Sequence, residues 1–227
     1  MKTFTKKEVI WIVVAIILFA LIIGIRYNSE KETLQLNLNP WFLFVSAIII
    51  IINILAKEFA APRYSAKIEH KLWTLQRWGW YKRSYFKKSI PMGIIFPPIL
   101  SFLTLGFLKP MVFLQHETKN DPAKRILKKQ GTRRAERKSE LNEVDMAFIS
   151  VYGFYSLILL AIVTSILSLY FNIPLTSTIA RYAIFYGAWN LIPFGHLDGA
   201  KTFYGSLVAY SLLLIVYLIA LILTFIL

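Results

Sequence analysis

The 227-residue chain is 57% hydrophobic and only 17% charged, which is the composition of a membrane protein rather than of a soluble domain. It contains no cysteine, so disulfide scaffolds, zinc–thiolate sites and thiol nucleophiles are excluded. Lysine and arginine outnumber aspartate and glutamate by 26 to 12, and the resulting net charge of +14 is concentrated in a few polar stretches.

Several long apolar runs divide the chain, and a helix needs about 20 residues to cross a bilayer. We predict an all-α polytopic membrane protein that forms a single membrane domain over residues 1–227, with small interfacial or β segments between the helices. The first run is interpreted as a retained span, because no small-residue cleavage pattern of a signal peptide follows it. The runs lie at about 9–25, 41–61, 90–114, 146–171, 178–193 and 203–227.

The distribution of basic residues predicts the topology. Residues 62–89 carry eight Lys and Arg side chains against one acid, and residues 115–145 carry nine, whereas the loop at 26–40 carries two. We therefore expect the N-terminus and both basic stretches to lie on the cytoplasmic side of the cell membrane.

The run at 90–114 then has both of its flanks on the same side. Pro97 and Pro98 lie in the middle of this run, and proline removes helix hydrogen bonds and bends the chain. We predict that the run enters the membrane and returns, covered by other helices. This gives about five spans plus one re-entrant hairpin, and six full spans are the alternative.

The two basic stretches predict contacts at the membrane surface. Residues 70–88 interleave basic and aromatic side chains, which is typical of a segment that lies among lipid headgroups. The basic loop at 119–138 is a candidate for binding an acidic partner, and its alternative is a solvated loop that sets the topology. We do not expect nucleic acid as a partner.

Asp198 is the only acid in the 82 residues from Met146 to the end of the chain. It follows Asn190 and Pro193 and precedes Gly199, and the proline and glycine open the helix in the way that suits the lining of a cavity. An ionisable group at membrane depth costs roughly 2.5–3.5 kcal/mol, so it normally has a function or a partner. The alternative is that Asp198 is solvated among headgroups.

Residues 190–201 read NLIPFGHLDGAK and resemble the N-L-L-P-F-G-P-L-D-G-x-K motif of archaeal site-2 protease homologues, which are intramembrane zinc metalloproteases. In that family the Asp, here Asp198, is the third zinc ligand. A His-Glu-x-x-His motif on an earlier helix supplies the other two ligands and the general base. The resemblance covers roughly residues 41–210 and implies a site-2-protease-like helix core.

The earlier helix has a degenerate counterpart at residues 53–73. The alignment places Asn53 at the first His, Ile54 at the catalytic Glu and Lys57 at the second His; a looser register places Lys57 and Glu58 at His-Glu. Asparagine is a poor zinc ligand, a protonated lysine repels zinc, and isoleucine cannot move protons. We therefore expect no catalytic residue, no metal and no cofactor.

The three histidines are not expected to restore a metal site. His70 and His116 lie in stretches interpreted as cytoplasmic, and His196 with Asp198 makes only a two-ligand site. Asn53 and Lys57 share one helix face, so an ion pair between Lys57 and Asp198 can replace zinc, with Lys201 as the rival partner. The alternative for Lys57 is that it reaches out to the headgroups.

The favoured interpretation is a proteolytically inactive site-2-protease-like protein that binds or regulates another membrane protein or transmembrane helix, with membrane lipid around it. One alternative is an atypical intramembrane zinc metalloprotease that uses Asp198, His196 and Glu58. Another is a small transporter or channel built around the Lys57–Asp198 site and the interrupted hydrophobic segments at 90–114 and 193–199.

Overall fold

The computed structural model describes residues 4–28, 33–77, 85–120, 126–128, 135–137 and 141–226. Within these ranges the chain forms seven α-helices: α1 (Lys6–Gly24), α2 (Pro40–Ala60), α3 (Met92–Leu103), α4 (Glu143–Phe171), α5 (Pro174–Leu191), α6 (Asp198–Gly205) and α7 (Leu207–Ile226). Eight short strands form four antiparallel pairs: β1 (Ile25–Asn28) with β2 (Thr33–Leu36), β3 (Ala66–Leu72) with β6 (Leu114–Asn120), β4 (Leu75–Arg77) with β5 (Tyr85–Ile90), and β7 (Ile126–Lys128) with β8 (Ala135–Arg137). Most of the basic loop 119–138, and residues 78–84 of the basic–aromatic stretch, lie outside the described residues.

Four of the described helices are long and apolar enough to cross a membrane: Lys6–Gly24, Pro40–Tyr64, Glu143–Phe171 and Leu207–Thr224. The chain is thus a helical protein with membrane-type helices, as its composition predicts. The run predicted at 178–193 forms α5 but is not one of these four helices. The span predicted from Met146 begins at Glu143, because Asn142 and Asp145 form a capping box there.

The run predicted at 203–227 is divided between two helices. α6 ends at Gly205, which has no side chain and so passes directly against the backbone of Glu143 on α4. Ser206 is extended, and its hydroxyl accepts a hydrogen bond from the Ala209 amide at 3.4 Å. Asp198 therefore belongs to a short helix of its own, separate from the long apolar α7.

The helices pack around α4, which contacts α2, α5 and α6, while α1 packs on α2 and α7 packs on α5. Large side chains fill the centre: Phe19 stacks on Tyr186 with ring centroids 5.5 Å apart, and Phe154 meets Tyr217 edge to face. The outer faces of α4 and α7 carry many exposed large apolar side chains, which suits helices surrounded by lipid tails.

The two ends of the run at 90–114 are both hydrogen-bonded to one residue, Trp73. Trp73 follows β3, and its carbonyl accepts a hydrogen bond from the Gly93 amide at 2.9 Å while its amide donates to the Phe113 carbonyl at 2.8 Å. We call the segment between Gly93 and Phe113 the hairpin. The helix α3 continues through Pro97 and Pro98, so the chain does not turn back at these prolines.

The turn of the hairpin lies instead at Leu105 and Gly106, which both have positive φ. Glycine adopts such a backbone at no steric cost, which explains the position of the turn. Gly106 approaches Ile25, at the end of α1, whereas Glu8 near the start of α1 contacts β3. The hairpin therefore runs along most of the length of α1. Its entry into a membrane remains a prediction.

The pairing of β3 with β6 positions the candidate site. The strands are antiparallel, and His70 lies directly opposite His116. In β3, buried Ala66, Ile68, His70 and Leu72 alternate with more exposed Lys67, Glu69 and Lys71. Because directly opposite residues point to the same face of a sheet, both histidines belong to the face that is turned toward the helices.

Candidate functional site: a buried charged cluster

Lys57 on α2 and Asp198 at the start of α6 meet inside the molecule. The Lys57 Nζ contacts the Asp198 Oδ2, and both side chains are buried. Asp198 is the first residue of α6, where a helix N-terminus favours a negative charge. Gly199 follows because the backbone of Leu191 lies where its side chain would be. The structure therefore brings together the two residues for which the sequence suggested an ion pair.

His116 on β6 completes the surroundings of the carboxylate. Its Nδ1 lies 2.8 Å from the Asp198 Oδ1, and the ring is buried. The sequence placed His116 only in a stretch interpreted as cytoplasmic, and the pairing of β6 with β3 carries its ring inward to Asp198. Both oxygens of Asp198 are thus engaged by protein groups.

Lys201, which was considered as the alternative ion-pair partner of Asp198, makes a different contact. Its Nζ donates a hydrogen bond to the main-chain carbonyl of His116 rather than to the Asp198 carboxylate. This contact joins α6 to β6 one helical turn after Asp198. Lys201 therefore reinforces the position of His116 and adds a second cation near the carboxylate.

Asn53 lies one turn before Lys57 and joins α2 to α4. Its Nδ2 donates to the Gly153 carbonyl at 3.1 Å. A side chain at Gly153 would have its Cβ 2.6 Å from the Lys57 Cε, so glycine there gives Lys57 its room. Ile54 is buried in the apolar core and has no polar atom to offer the cluster.

A second pair lies beside the first on the same face of the sheet. The His70 Nε2 is 3.6 Å from the Glu58 Oε1, and the His70 amide donates to the Glu8 Oε1 at 3.1 Å. The sequence placed His70 only in a stretch interpreted as cytoplasmic, and the structure buries its ring. Glu58 is thus held beside His70.

Electrostatics favour a charged Asp198 and a neutral His116. Burial alone would raise the pKa of Asp198, but Lys57, His116 and Lys201 lower that pKa below its ordinary value. Burial, helped by Lys201 and opposed by Asp198, lowers the pKa of His116 to about 3. A neutral His116 can donate its Nδ1–H to the carboxylate. Burial also lowers the pKa of Lys201, to about 8.

The remaining predicted site residues lie around the cluster rather than in it. His196 is exposed and lines a cavity of about 340 Å³ together with His116 and Lys201, so His116 takes the place beside Asp198 that was considered for His196. Asn190 donates to the Met111 and Tyr186 carbonyls at 3.1 and 2.8 Å and thereby ties α5 to the end of the hairpin. Pro193 lies in the exposed turn that separates α5 from α6.

A hydrolytic zinc site at Asp198 would need groups other than those that engage the carboxylate here. Such a site needs three protein ligands and an open position for water, but an ammonium and an imidazole engage the two oxygens of Asp198. Among the described residues no three His, Cys, Asp or Glu side chains converge as metal ligands would. No family model, curated protein or solved structure matches the chain.

Proposed function

We propose that this protein is a proteolytically inactive membrane protein with a site-2-protease-like helix core, and that it binds or regulates another membrane protein. The observation that carries the proposal is the contact of Lys57 with Asp198. In the alignment with the protease motifs, Lys57 stands at a zinc-ligating histidine, and its ammonium supplies positive charge next to the carboxylate that zinc would otherwise provide. Ile54, at the position of the general base, has no group that can activate water.

In this proposal the cluster serves as a fixed joint. Lys57, Asp198 and His116 come from α2, α6 and β6, so their contacts hold three elements in one arrangement. A rigid joint suits a surface that must recognise a neighbouring helix, because a preorganised surface loses less conformational entropy on binding.

Metal content measured by elemental mass spectrometry tests the loss of catalysis. We expect no stoichiometric zinc in the wild-type protein or in Asp198→Ala. The double variant Asn53→His/Lys57→His is expected to gain up to one zinc per chain, because it returns two ligands beside Asp198, and to lose that zinc when Asp198→Ala is added. Near-stoichiometric zinc in the wild type that disappears with Asp198→Ala would contradict the proposal.

The binding role is tested by photo-crosslinking in native membranes. Leu55 is exposed on α2, close in sequence to the cluster, and Leu223 is exposed on α7, so a photoreactive amino acid at either position reports its neighbours. We expect a discrete protein adduct from Leu55 that is lost in Lys57→Met, and lipid adducts from Leu223. Lipid adducts alone at both positions would contradict a protein partner at α2.

One observation favours the atypical metalloprotease as a second candidate. His116 offers an imidazole directly beside Asp198, which the sequence motifs do not supply. Displacement of Lys57 would leave one histidine and one carboxylate side by side. The metal measurement distinguishes the two candidates, since only the metalloprotease requires zinc in the wild-type protein.

A further inference from the structure

A cavity larger than the one beside His196 lies along α5. Its volume is about 930 Å³, and its walls come from α5, α7, the start of β1 and the returning arm of the hairpin. This volume is near the upper end of the ~300–1,000 Å³ that is usual for small-molecule sites. The proposed function makes no use of this cavity.

One face of α5 forms the long wall of the cavity. The lining residues of α5 and its end are Arg181, Tyr182, Phe185, Ala188, Trp189 and Ile192, which recur with the three- and four-residue spacing of a single helix face. Eleven residues of helix extend about 16 Å. This is close to the hydrocarbon depth of one leaflet, which is half of the ~30 Å bilayer core.

Three cations from three different elements meet at one end of this wall. Arg26 of β1 and Arg181 of α5 both line the cavity beside Tyr182, and the Lys109 Nζ lies 5.9 Å from the centre of the Tyr182 ring. Lys109 is held there by a hydrogen bond of 2.9 Å to the Ile23 carbonyl. In the described part of the chain, no ion pair joins any of the three to a carboxylate.

The three cations and the apolar wall together indicate which kind of molecule the cavity binds. Arginine side chains donate planar, paired hydrogen bonds that match the oxygens of a phosphate. Free phosphate, or any other small soluble anion, would make no contact with the wall of aromatic and aliphatic side chains below these cations. Snorkelling to the surface would explain each cation singly, but it does not explain why three elements direct their cations to one cavity that then continues along an apolar helix face.

We propose that the cavity binds an anionic phospholipid. The phosphate lies among Arg26, Lys109 and Arg181, and one acyl chain lies along α5 toward Trp189 and Ile192. The lipid bridges β1, the hairpin and α5, which are distant in sequence.

Native mass spectrometry of the protein in mild detergent tests the site. The probes are phosphatidylglycerol and phosphatidylcholine with identical acyl chains. We expect the wild type to retain one phosphatidylglycerol with roughly tenfold preference over phosphatidylcholine, because the three cations repel the choline ammonium that phosphatidylglycerol lacks, and a difference of about 1.4 kcal/mol is a factor of ten. Arg26→Gln/Arg181→Gln is expected to reduce this preference to near one.

A matched control removes two charges elsewhere. Lys87 and Lys88 are exposed on β5 and are not among the lining residues of the cavity, so Lys87→Gln/Lys88→Gln is expected to keep the wild-type preference. Equal loss of preference in both double variants, or no preference in the wild type, would overturn the proposal.

A second variant tests the acyl-chain part of the site. Ala188→Phe places a ring in the middle of the apolar wall and is expected to reduce retention of both lipids at least fivefold, with the ratio between them less affected. Unchanged retention of both lipids by a variant that melts at the wild-type temperature would show that the chain does not lie along α5.

Discussion

Lys57 and Asp198 are both buried, so removal of either side chain leaves the other charge without its oppositely charged partner. Removing one partner from a buried ion pair typically costs 3–5 kcal/mol, whereas replacing both can be close to neutral. We expect Lys57→Met and Asp198→Asn each to lower the melting temperature in detergent strongly. The double variant is expected to lose less than the sum of the two, as measured by a double-mutant cycle.

The exposed pair of Lys71 and Glu117 supplies the control for that cycle. Their side-chain atoms are 2.6 Å apart, and the side chains are 38% and 45% exposed. An exposed pair is worth about 0–1 kcal/mol, so Lys71→Met and Glu117→Gln should change the melting temperature little. If Lys57→Met and Asp198→Asn had effects as small as these, the contact in the cluster would carry no structural role.

His116 makes stability depend on pH. Its folded pKa is about 3 and its ordinary pKa about 6.5, so the unfolded chain binds the extra proton between these values. Stability is therefore complete above pH 6.5 and falls as the pH drops toward 3, by up to about 1.4 kcal/mol per pH unit for one proton. Thermal unfolding between pH 7 and pH 5 measures this slope.

His116→Gln is expected to be less stable at pH 7 but to have a shallower slope toward acid pH. His196→Gln is the control, because His196 is exposed, and it should keep the wild-type slope. Some slope is expected to remain in His116→Gln, since burial also lowers the pKa of His70. Identical slopes in all three proteins would exclude His116 as the origin.

Tyr217 is one of the buried side chains that attach the helix α7 to the bundle. Tyr217 is buried, donates from its hydroxyl to the Phe154 carbonyl at 3.0 Å, and has its ring against Gly187 on α5. A Cβ at Gly187 would overlap that ring. Overpacking of this kind typically costs 1–3 kcal/mol, so Gly187→Ala is expected to lower the melting temperature by several degrees.

The comparison for Gly187→Ala lies on the other face of α7. Leu223 is half-exposed there, and Leu223→Ala is expected to have little effect on melting. Equal effects of the two substitutions would mean that α7 is held by its general apolar surface and not by the close contact at Tyr217.

Helices and strands differed in how far the sequence could predict them. Long apolar runs predicted the four membrane-type helices, since length and hydropathy are local properties. The helical spacing placed Asn53 and Lys57 on one face of a helix, and the protease-like motif drew attention to Asp198. Together these two observations predicted the ion pair between Lys57 and Asp198. The break at Ser206 was missed, because an apolar run shows neither the close passage of Gly205 against α4 nor a change of direction.

His70 and His116 were missed for a physical reason as well. Their position depends on the pairing of β3 with β6, which are separated by more than forty residues, and distant pairing leaves no local signal. One signal was present within β3: the residues at 66–72 alternate between apolar and charged side chains, with His70 on the apolar side. Strict alternation favours a half-buried strand and could have placed His70 inside.

The topology of the whole chain can be tested with thiol reagents, because the sequence contains no cysteine. Single cysteines at Leu38, Ser89 and Lys119, all exposed, report three connecting regions. We expect a membrane-impermeant maleimide to label Leu38→Cys in intact cells. Ser89→Cys and Lys119→Cys are expected to react only after permeabilisation, since basic stretches stay cytoplasmic.

Ser89 and Lys119 together also decide the path of the hairpin. Labelling of these two positions from the same side is required if the segment returns to Trp73 in the membrane. Labelling from opposite sides would show that residues 90–114 cross the membrane and would give six spans.

The double hydrogen bond at Trp73 has a consequence for the order of assembly. Its amide and carbonyl hold Phe113 and Gly93, so the neck of the hairpin closes only when both chain ends are present. During synthesis the apolar residues of α3 leave the ribosome before β6, when α1 and β3 are already present to contact them but the neck is still open. A chain arrested before Phe113 therefore presents α3 to the insertion machinery as an unclosed segment, and the last step of its placement follows the translation of β6.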